Sequence, residues 1–463
     1  MITKFCNRKE ELSFLNEKHE SGKFQFIPIY GRRRIGKTEL ILQFIKDKRA
    51  IYFLATAGTK KENIGRFKAA ARHLVDLSLV RDDWEAIFEY IKKNLGEGVV
   101  IVIDEFPYLV EAEEGLSSIF QASVDLHLKD SNLFLILCGS SLSMMYRDVL
   151  GHKAPLYGRR TGQIHLKELR FKDVTDFFEK PLDETIKIYA ICGGVPAYLN
   201  EFGEKKPLFQ LVEEKILAKN AVLREEVPSL LRQEFRDPKV YMAILSAISL
   251  GFRNLGKIVN YCGFENKTGI MPYLYALKSL GHVRREVPVT EGARSRKGLY
   301  YINDKFFEFW FKFVRRNYDL VEQDTGKAME KIKPEFEGHV GLVFEHVCKE
   351  VLLGSDVPTF TKVGKWWHKD REIDIVALNE VKKQILFAEC KWQSKVDAEK
   401  VLQDLREKAE LVGWHRDKRE EHYAVFAKSF RKEIREPNVV LFDLEQLGRI
   451  FGVRPHRRKN LGL

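Results

Sequence analysis

FQFIPIYGRRRIGKTEL, residues 24–40, decides how this chain is read. An apolar run of strand character leads straight into Gly31-Arg32-Arg33-Arg34-Ile35-Gly36-Lys37-Thr38, which matches G-x-x-x-x-G-K-[ST], and helix-forming residues follow from Glu39. A phosphate chain needs backbone amides converging on it with no side chains in the way, and a glycine at each end of the loop permits that path. The loop then opens a helix whose N-terminus favours anions. In this arrangement Lys37 reaches the outer phosphates and the Thr38 hydroxyl ligates magnesium, so residues Gly31 to Glu39 form the expected cradle for ATP and Mg2+.

The next informative stretch is GVVIVIDEFPYL, where Val99 to Ile103 read as a strand buried on both faces that ends in Asp104-Glu105. Carboxylates at the C-terminal end of such a strand stand at the rim of a parallel sheet, where ligands bind in open α/β folds. Asp104 is expected to hold magnesium through water and Glu105 to polarise the attacking water. NLFLILCGSS, Asn132 to Ser141, is a third buried strand, expected between the two motif-bearing ones, with Ser140 or Ser141 at the rim. Ala50 to Thr56 has strand length, and Ala69 to Leu79 reads as a helix. Arg159 and Arg160 precede a short strand, Gln163 to Leu166. An arginine there serves either to stabilise charge on a transferring phosphate, in cis or across a subunit boundary, or as part of a basic turn.

Before the loop, Lys9 to His19 reads as a helix with Asn7 as its cap. Phe5, Arg8, Glu11 and Leu12 are similar to the F-x-x-R-x-x-E-L opening of AAA-like and STAND-type ATPases, where this segment lies beside the adenine; the residues by themselves equally describe an amphipathic helix. Further on, ICGGVPAYLNEFG opens a helix with Pro196 in its first turn. It resembles the G-x-P element of the STAND lid, in which the proline packs on the adenine. Taken together, GRRRIGKT, VIVIDEFPYL, CGSS, LYGRR and GGVPAYL resemble the archaeal ATPase family within the AAA-like group, over roughly the first 235 residues.

At 463 residues the chain is long for one core, and two or three domains are expected. Apolar residues at 44% and charged residues at 31% describe a globular protein, with no apolar run long enough for a bilayer and no secretory signal at MITKFCNRKEEL, so no membrane partner and a cytoplasmic location are expected. Six cysteines without a C-x-x-C read as reduced thiols rather than disulfides or a zinc site. The net charge of +12 suits a polyanionic partner without identifying it.

Beyond Pro238, helices over Val240–Ser249, Asn254–Tyr261 and Lys267–Leu280, followed by the ribbon HVRREVPV and GLYYIND, describe a winged helix. Asn266, Lys267, Tyr273 and Tyr275, with Arg284, Arg285, Arg294, Arg296 and Lys297 of the wing, suit contact with DNA phosphates and sugars, although such modules also serve in packing. FFEFWFKFV, from Phe306, reads as a buried aromatic helix, and the polar segment behind it as a linker. The last part opens with a helix carrying Glu345, then three strands: KVGKWWH, REIDIVAL and QILFAECKW. Ile373, Ile375 and Ala377 alternate with Glu372, Asp374 and Val376, while Glu389 and Lys391 share a face. A helix, Lys395 to Val412, and two strands complete the order. This resembles the PD-(D/E)xK nuclease fold through Glu345, Asp374, Glu389 and Lys391, with Ile373 in place of the usual proline, in a position where archaeal ATPases often carry a domain of unknown function. The resemblance implies a metal held by Asp374 and Glu389, completed by Glu345, and Lys391 stabilising charge.

The expected architecture is therefore α/β: a P-loop parallel sheet over 1–169, a helical lid over 170–235, a winged helix over 236–316, a linker over 317–334 and a small restriction-endonuclease-like α/β domain over 335–463. Two functions of different class follow. One is a magnesium-dependent ATP hydrolase that couples its state to DNA binding and cleavage, with a homo-oligomer admitted by the arginines. The other is a nucleotide-switched scaffold whose C-terminal domain grips a partner without chemistry.

Overall fold

Three apolar runs before residue 150 become fully buried strands. In the computed structural model, which describes residues 5–354 and 360–453, these are β1 (Gln25–Tyr30), β3 (Val100–Asp104) and β4 (Phe134–Gly139), joined by β2 (Ala50–Leu54) and β5 (Ile164–His165). The five form one parallel sheet in the order β2-β3-β4-β1-β5. β4 thus lies between the strand that leads into the glycine loop and the strand that ends in Asp104. Parallel strands covered on both faces read as near-continuous apolar runs, which is why these were legible. Pro28 sits in the middle of β1 without disrupting the ladder. Phe26 and Tyr30 bond towards Thr161 and Leu166, so Pro28, two residues from each, turns its missing amide to the short edge formed by β5. This sheet and its helices form one unit, residues 1–169 together with 195–197.

Helix boundaries follow caps more than periodicity. The helix expected at Ala69–Leu79 spans Lys60–Ala71 instead, because Thr59 and Glu62 form a capping box that starts it earlier. Helix Trp84–Asn94, not anticipated, begins at Asp83, whose side chain accepts from the Ala86 amide. The first helix, Lys9–Glu20, is preceded by Arg8 in left-handed backbone rather than capped by Asn7.

The second unit holds residues 170–194 and 198–463. Helices Lys239–Ser249, Leu255–Tyr261 and Lys267–Ser279, with β6 (Val283–Glu286) antiparallel to β7 (Leu299–Ile302), build the winged helix. Residues 317–334 are not a loose linker. They form helix Tyr318–Gln323 and the first part of a helix from Thr325 to Gly354, which buries Ala328, Met329, Ile332 and Phe336 at helical spacing and contains Pro334. The polar residues on its other face had concealed that stripe.

The C-terminal sheet has the order β12-β11-β10-β9-β8, with β8 at Lys362–His368, β9 at Arg371–Asn379, β10 at Gln384–Lys391, β11 at Glu420–Ala427 and β12 at Val439–Phe442. Its core joins Ile373, Val376, Leu378, Ile385 and Phe387 to Leu402 and Leu405 of helix Ala398–Ala409. Ile373 and Val376 share that core because β9 carries a bulge. Gly364 opposes Val376 and Trp366 opposes Ile373, which leaves Asp374 and Ile375 together facing Lys365. The strict alternation expected over Ile373, Ile375 and Ala377 is therefore shifted by one residue at Asp374. A closing helix, Leu444–Phe451, begins with an Asp443–Gln446 capping box. Among the described residues all six cysteines are free thiols, and no helix is long and apolar enough to cross a membrane.

Candidate functional site

Gly31 and Gly36 are required by the path of the loop. A Cβ on Gly31, at φ 153°, would stand 2.3 Å from the Leu166 carbonyl oxygen, and Gly36, at φ 90°, is the residue from which helix Lys37–Ile45 starts. Between them Arg34 also adopts left-handed backbone, and Ile35 is anchored in the core. Lys37 is buried and its ammonium donates to the carbonyl oxygens of Gly31 at 3.0 Å and Arg32 at 3.1 Å, closing the loop on itself. Burial pulls this ammonium below the ordinary lysine range, against the opposing charges of Glu105 and Asp104. Arg32 pairs with Glu168 at 3.3 Å, whereas Arg33 and Glu39 are half-buried and Arg34 is exposed.

Arg8 braces the loop from behind. Its guanidinium donates to the Ile35 carbonyl at 3.3 Å and the Lys167 carbonyl at 2.7 Å and pairs with Glu11 at 3.3 Å. Pro196 begins helix Pro196–Glu201, and its Cγ lies 4.0 Å from where a Cβ on Gly36 would be.

Hydrogen bonds converge on Asp104 at the end of β3, among them one from the Cys138 thiol. The Thr38 hydroxyl and the Tyr52 phenol each donate to Oδ2 at 2.8 Å, and the Glu105 amide donates to Oδ1 at 2.9 Å. A threonine hydroxyl meeting a buried carboxylate is a hard oxygen set, and it fits magnesium. Glu105 itself takes φ 54°, which turns its side chain toward β4, where the Ser140 hydroxyl donates to its Oε1 at 2.7 Å. Tyr52 was not singled out from the sequence. Its role depends on strand order, which no local pattern carries.

Arg159 lies elsewhere, whereas the Arg160 charge reaches Tyr30, the residue before Gly31. Arg159 forms a two-pronged pair with Asp125, at 2.8 and 3.1 Å, and lines a groove of about 570 Å³ with Lys23 and Phe24 at the start of β1, whereas the loop follows its end. Arg160 stacks on Tyr157 at 4.7 Å and bonds to its carbonyl and to Gln163.

In the C-terminal sheet the pairing of β9 with β10 runs to Ile375 opposite Ala388, and Asp374, within the bulge, and Glu389 are the next residues of the two strands. The Cys390 amide donates to Asp374 Oδ2 at 2.8 Å. Lys391 and, from the helix behind, Lys408 approach Glu389 Oε1 at 2.8 and 3.2 Å. Glu389 Oε2 is buried and has no hydrogen-bond partner among the described residues. Burial, with the Glu389 charge adding to it, pushes the Asp374 carboxyl up to about 6. This pair of carboxylates with an unpartnered oxygen fits a divalent cation in its donor chemistry. Glu345 is not gathered with them: it pairs with Lys365, which also holds Glu372 at 3.0 Å, and among the described residues no three His, Cys, Asp or Glu side chains are spaced around one ion.

In the wing, Arg284 bonds to Glu286 and the Ile302 carbonyl, Arg285 to the carbonyls of Ala293 and Ser295, and Lys297 to Glu291, so these three are engaged in shaping the ribbon. Arg294 and Arg296 are exposed. On the third helix Lys267 and Tyr275 are exposed, while Asn266 caps the helix and Tyr273 packs on Tyr241. From the wing, the Val289 amide donates to the Lys365 carbonyl at 2.8 Å and its side chain joins the C-terminal core.

Residues 5–202 match a family model described as an ATPase domain predominantly from Archaea, and residues 310–401 match one described as Archaea bacterial proteins of unknown function. An uncharacterized protein of Methanocaldococcus jannaschii is 39% identical over 449 residues, 95% of this chain and 99% of that protein. A shorter uncharacterized ATP-binding protein of the same organism is 52% identical over 48 residues, 10% of this chain and 81% of its own. Among solved structures, the Walker-type ATPase of Pyrococcus abyssi is similar in fold, with a TM-score of 0.54 and 20% identity over 66% of this chain and 96% of that one. With its nucleotide-binding loop and acidic strand end in place, and with a relative matched along nearly its whole length, the chain belongs to the family of archaeal ATPases in which a domain of unknown function follows the ATPase domain.

Proposed function

We propose that the chain binds ATP with magnesium, hydrolyses it slowly, and couples its nucleotide state to DNA held by the winged helix and the C-terminal domain. The observation that supports this most is the bond from the Thr38 hydroxyl to Asp104 at 2.8 Å, which joins the phosphate loop to the acidic strand end. Lys37, released from the loop carbonyls, neutralises charge on the outer phosphates. Bound magnesium supplies charge neutralisation across the phosphates, and Thr38 and Asp104 are the residues to hold it. Glu105, oriented by Ser140, accepts a proton from the attacking water as its oxygen bonds the γ-phosphorus, and the bond to the β-phosphate oxygen breaks with ADP as leaving group. Arg159 is engaged by Asp125 at the far end of β1, so it is not the arginine that acts on the γ-phosphate. Nucleotide binding by Lys37→Ala and turnover by Glu105→Gln test this reading.

For the C-terminal domain the proposal is a metal-dependent phosphodiester-cleaving site. Asp374 and Glu389 are its cation ligands and Lys391 its charge stabiliser, supported by the unpartnered Glu389 Oε2 on the strand next to that of Asp374. Cutting of labelled DNA with manganese or magnesium, with and without ATP, tests it. The second reading, a nucleotide-switched scaffold, draws on the ion pair that engages Glu345 with Lys365.

A further inference from the structure

Tyr52 belongs to none of the sequence motifs, yet its phenol ends on the buried carboxylate at the centre of the site. It stands opposite Val102 in the register of β2 and β3, and Asp104 is the next residue of β3 on that face. Two residues along a strand cover about 6.7 Å, the reach of a tyrosine side chain lying along the sheet. The hydroxyl therefore arrives at Asp104 Oδ2, 2.8 Å away, beside the Thr38 hydroxyl at the same distance. Asp104 is 1% exposed, so no bulk water replaces a donor that leaves it.

We propose that Tyr52 is a positioning residue of the nucleotide site, one that orients Asp104 towards the magnesium ion that accompanies ATP. This rests on the reading of Asp104 given above. Thr38 has one hydroxyl to share between Asp104 and the ion. A lone pair of that hydroxyl meets the cation while its proton stays on Oδ2, and Tyr52 supplies a second donor that fixes Oδ2, while the Glu105 amide fixes Oδ1 at 2.9 Å. A carboxylate pinned at both oxygens keeps its free lone pairs aimed in one direction, and partners of this kind set metal affinity as much as the ligands do.

The test is binding of a fluorescent ATP analogue to the full chain, titrated with magnesium, for wild type and Tyr52→Phe, which keeps the ring and removes only the donor. The expected result is unchanged affinity for the analogue without metal and a magnesium concentration for half-maximal enhancement raised about tenfold. A purely structural role would shift the unfolding midpoint and leave the magnesium dependence alone, and that outcome overturns the inference. If wild type shows no magnesium dependence, the reading of Asp104 falls and the inference with it; if wild type responds and Tyr52→Phe responds identically, only the inference falls.

Discussion

The Ser140 hydroxyl donates to Glu105 Oε1 at 2.7 Å, joining the ends of two neighbouring strands whose residues are 35 apart in sequence. Glu105 is held in left-handed backbone at φ 54°, so its carboxylate is aimed by backbone strain and by one donor together. Ser140→Ala removes the donor and leaves the strand intact. The expected outcome is a turnover number lowered by about tenfold with little change in the Michaelis constant for ATP, because the lost interaction orients the base rather than the nucleotide. Steady-state phosphate release measures both.

Lys37 is expected to be indispensable for nucleotide affinity. It is buried against the carbonyls of Gly31 and Arg32, so Lys37→Ala deletes the phosphate-facing charge and also the internal tie that shapes the empty loop. Isothermal titration with ATP should show affinity weakened by at least about a hundredfold, the loss of roughly 3 kcal/mol that a charge-assisted bond provides. Retained affinity would mean the phosphates lie elsewhere.

For the wing, the structure separates two groups of arginines that the sequence presented as one. Arg284 and Arg285 are tied to the ribbon, whereas Arg294 and Arg296 are exposed at its tip. Replacing Arg294 and Arg296 with alanine is expected to weaken DNA binding and to reduce the dependence of log K on log salt by about 1 for each side chain that met a phosphate. Fluorescence anisotropy at several salt concentrations reads both, and an unchanged slope would leave the wing a packing element whose Val289 meets Lys365.

The C-terminal site carries a pH signature. Burial and the Glu389 charge raise the Asp374 carboxyl from 3.8 to about 6, so between those values the folded chain holds a proton that the unfolded chain has released. The sign follows: this group favours the folded state below pH 4, and that contribution is lost as pH rises through about 6. Manganese binding and any cutting of DNA should therefore strengthen from pH 5 to pH 7 as the carboxylate forms. Asp374→Asn should abolish cutting and also remove the part of the pH-dependent stability that falls across this window. Denaturant melts at pH 4 and pH 7 measure the second effect independently of activity.

Much of the first unit was legible because its strands are buried on both faces and its glycine loop has few alternatives. The same holds for Asp104 and Glu105, which end a strand. What escaped the sequence depended on partners brought together by topology. Tyr52 reaches Asp104 only because β2 lies next to β3, and Arg159 is taken by Asp125 because the two strand approaches meet at the bottom of the sheet. The bulge at Asp374 shifted an alternation that looked regular in one dimension, and the long helix across 325–354 hid its apolar stripe among charged residues. Glu345 had the right place in the order of elements, but Lys365 on the neighbouring strand claims it.

The central claim, hydrolysis of ATP by a water activated at Glu105, is tested most directly by single-turnover hydrolysis of radiolabelled ATP by wild type and Glu105→Gln. The account predicts that the variant binds ATP and retains it uncleaved, with the rate of phosphate formation lowered by at least about a hundredfold. Hydrolysis by Glu105→Gln at the wild-type rate would contradict it.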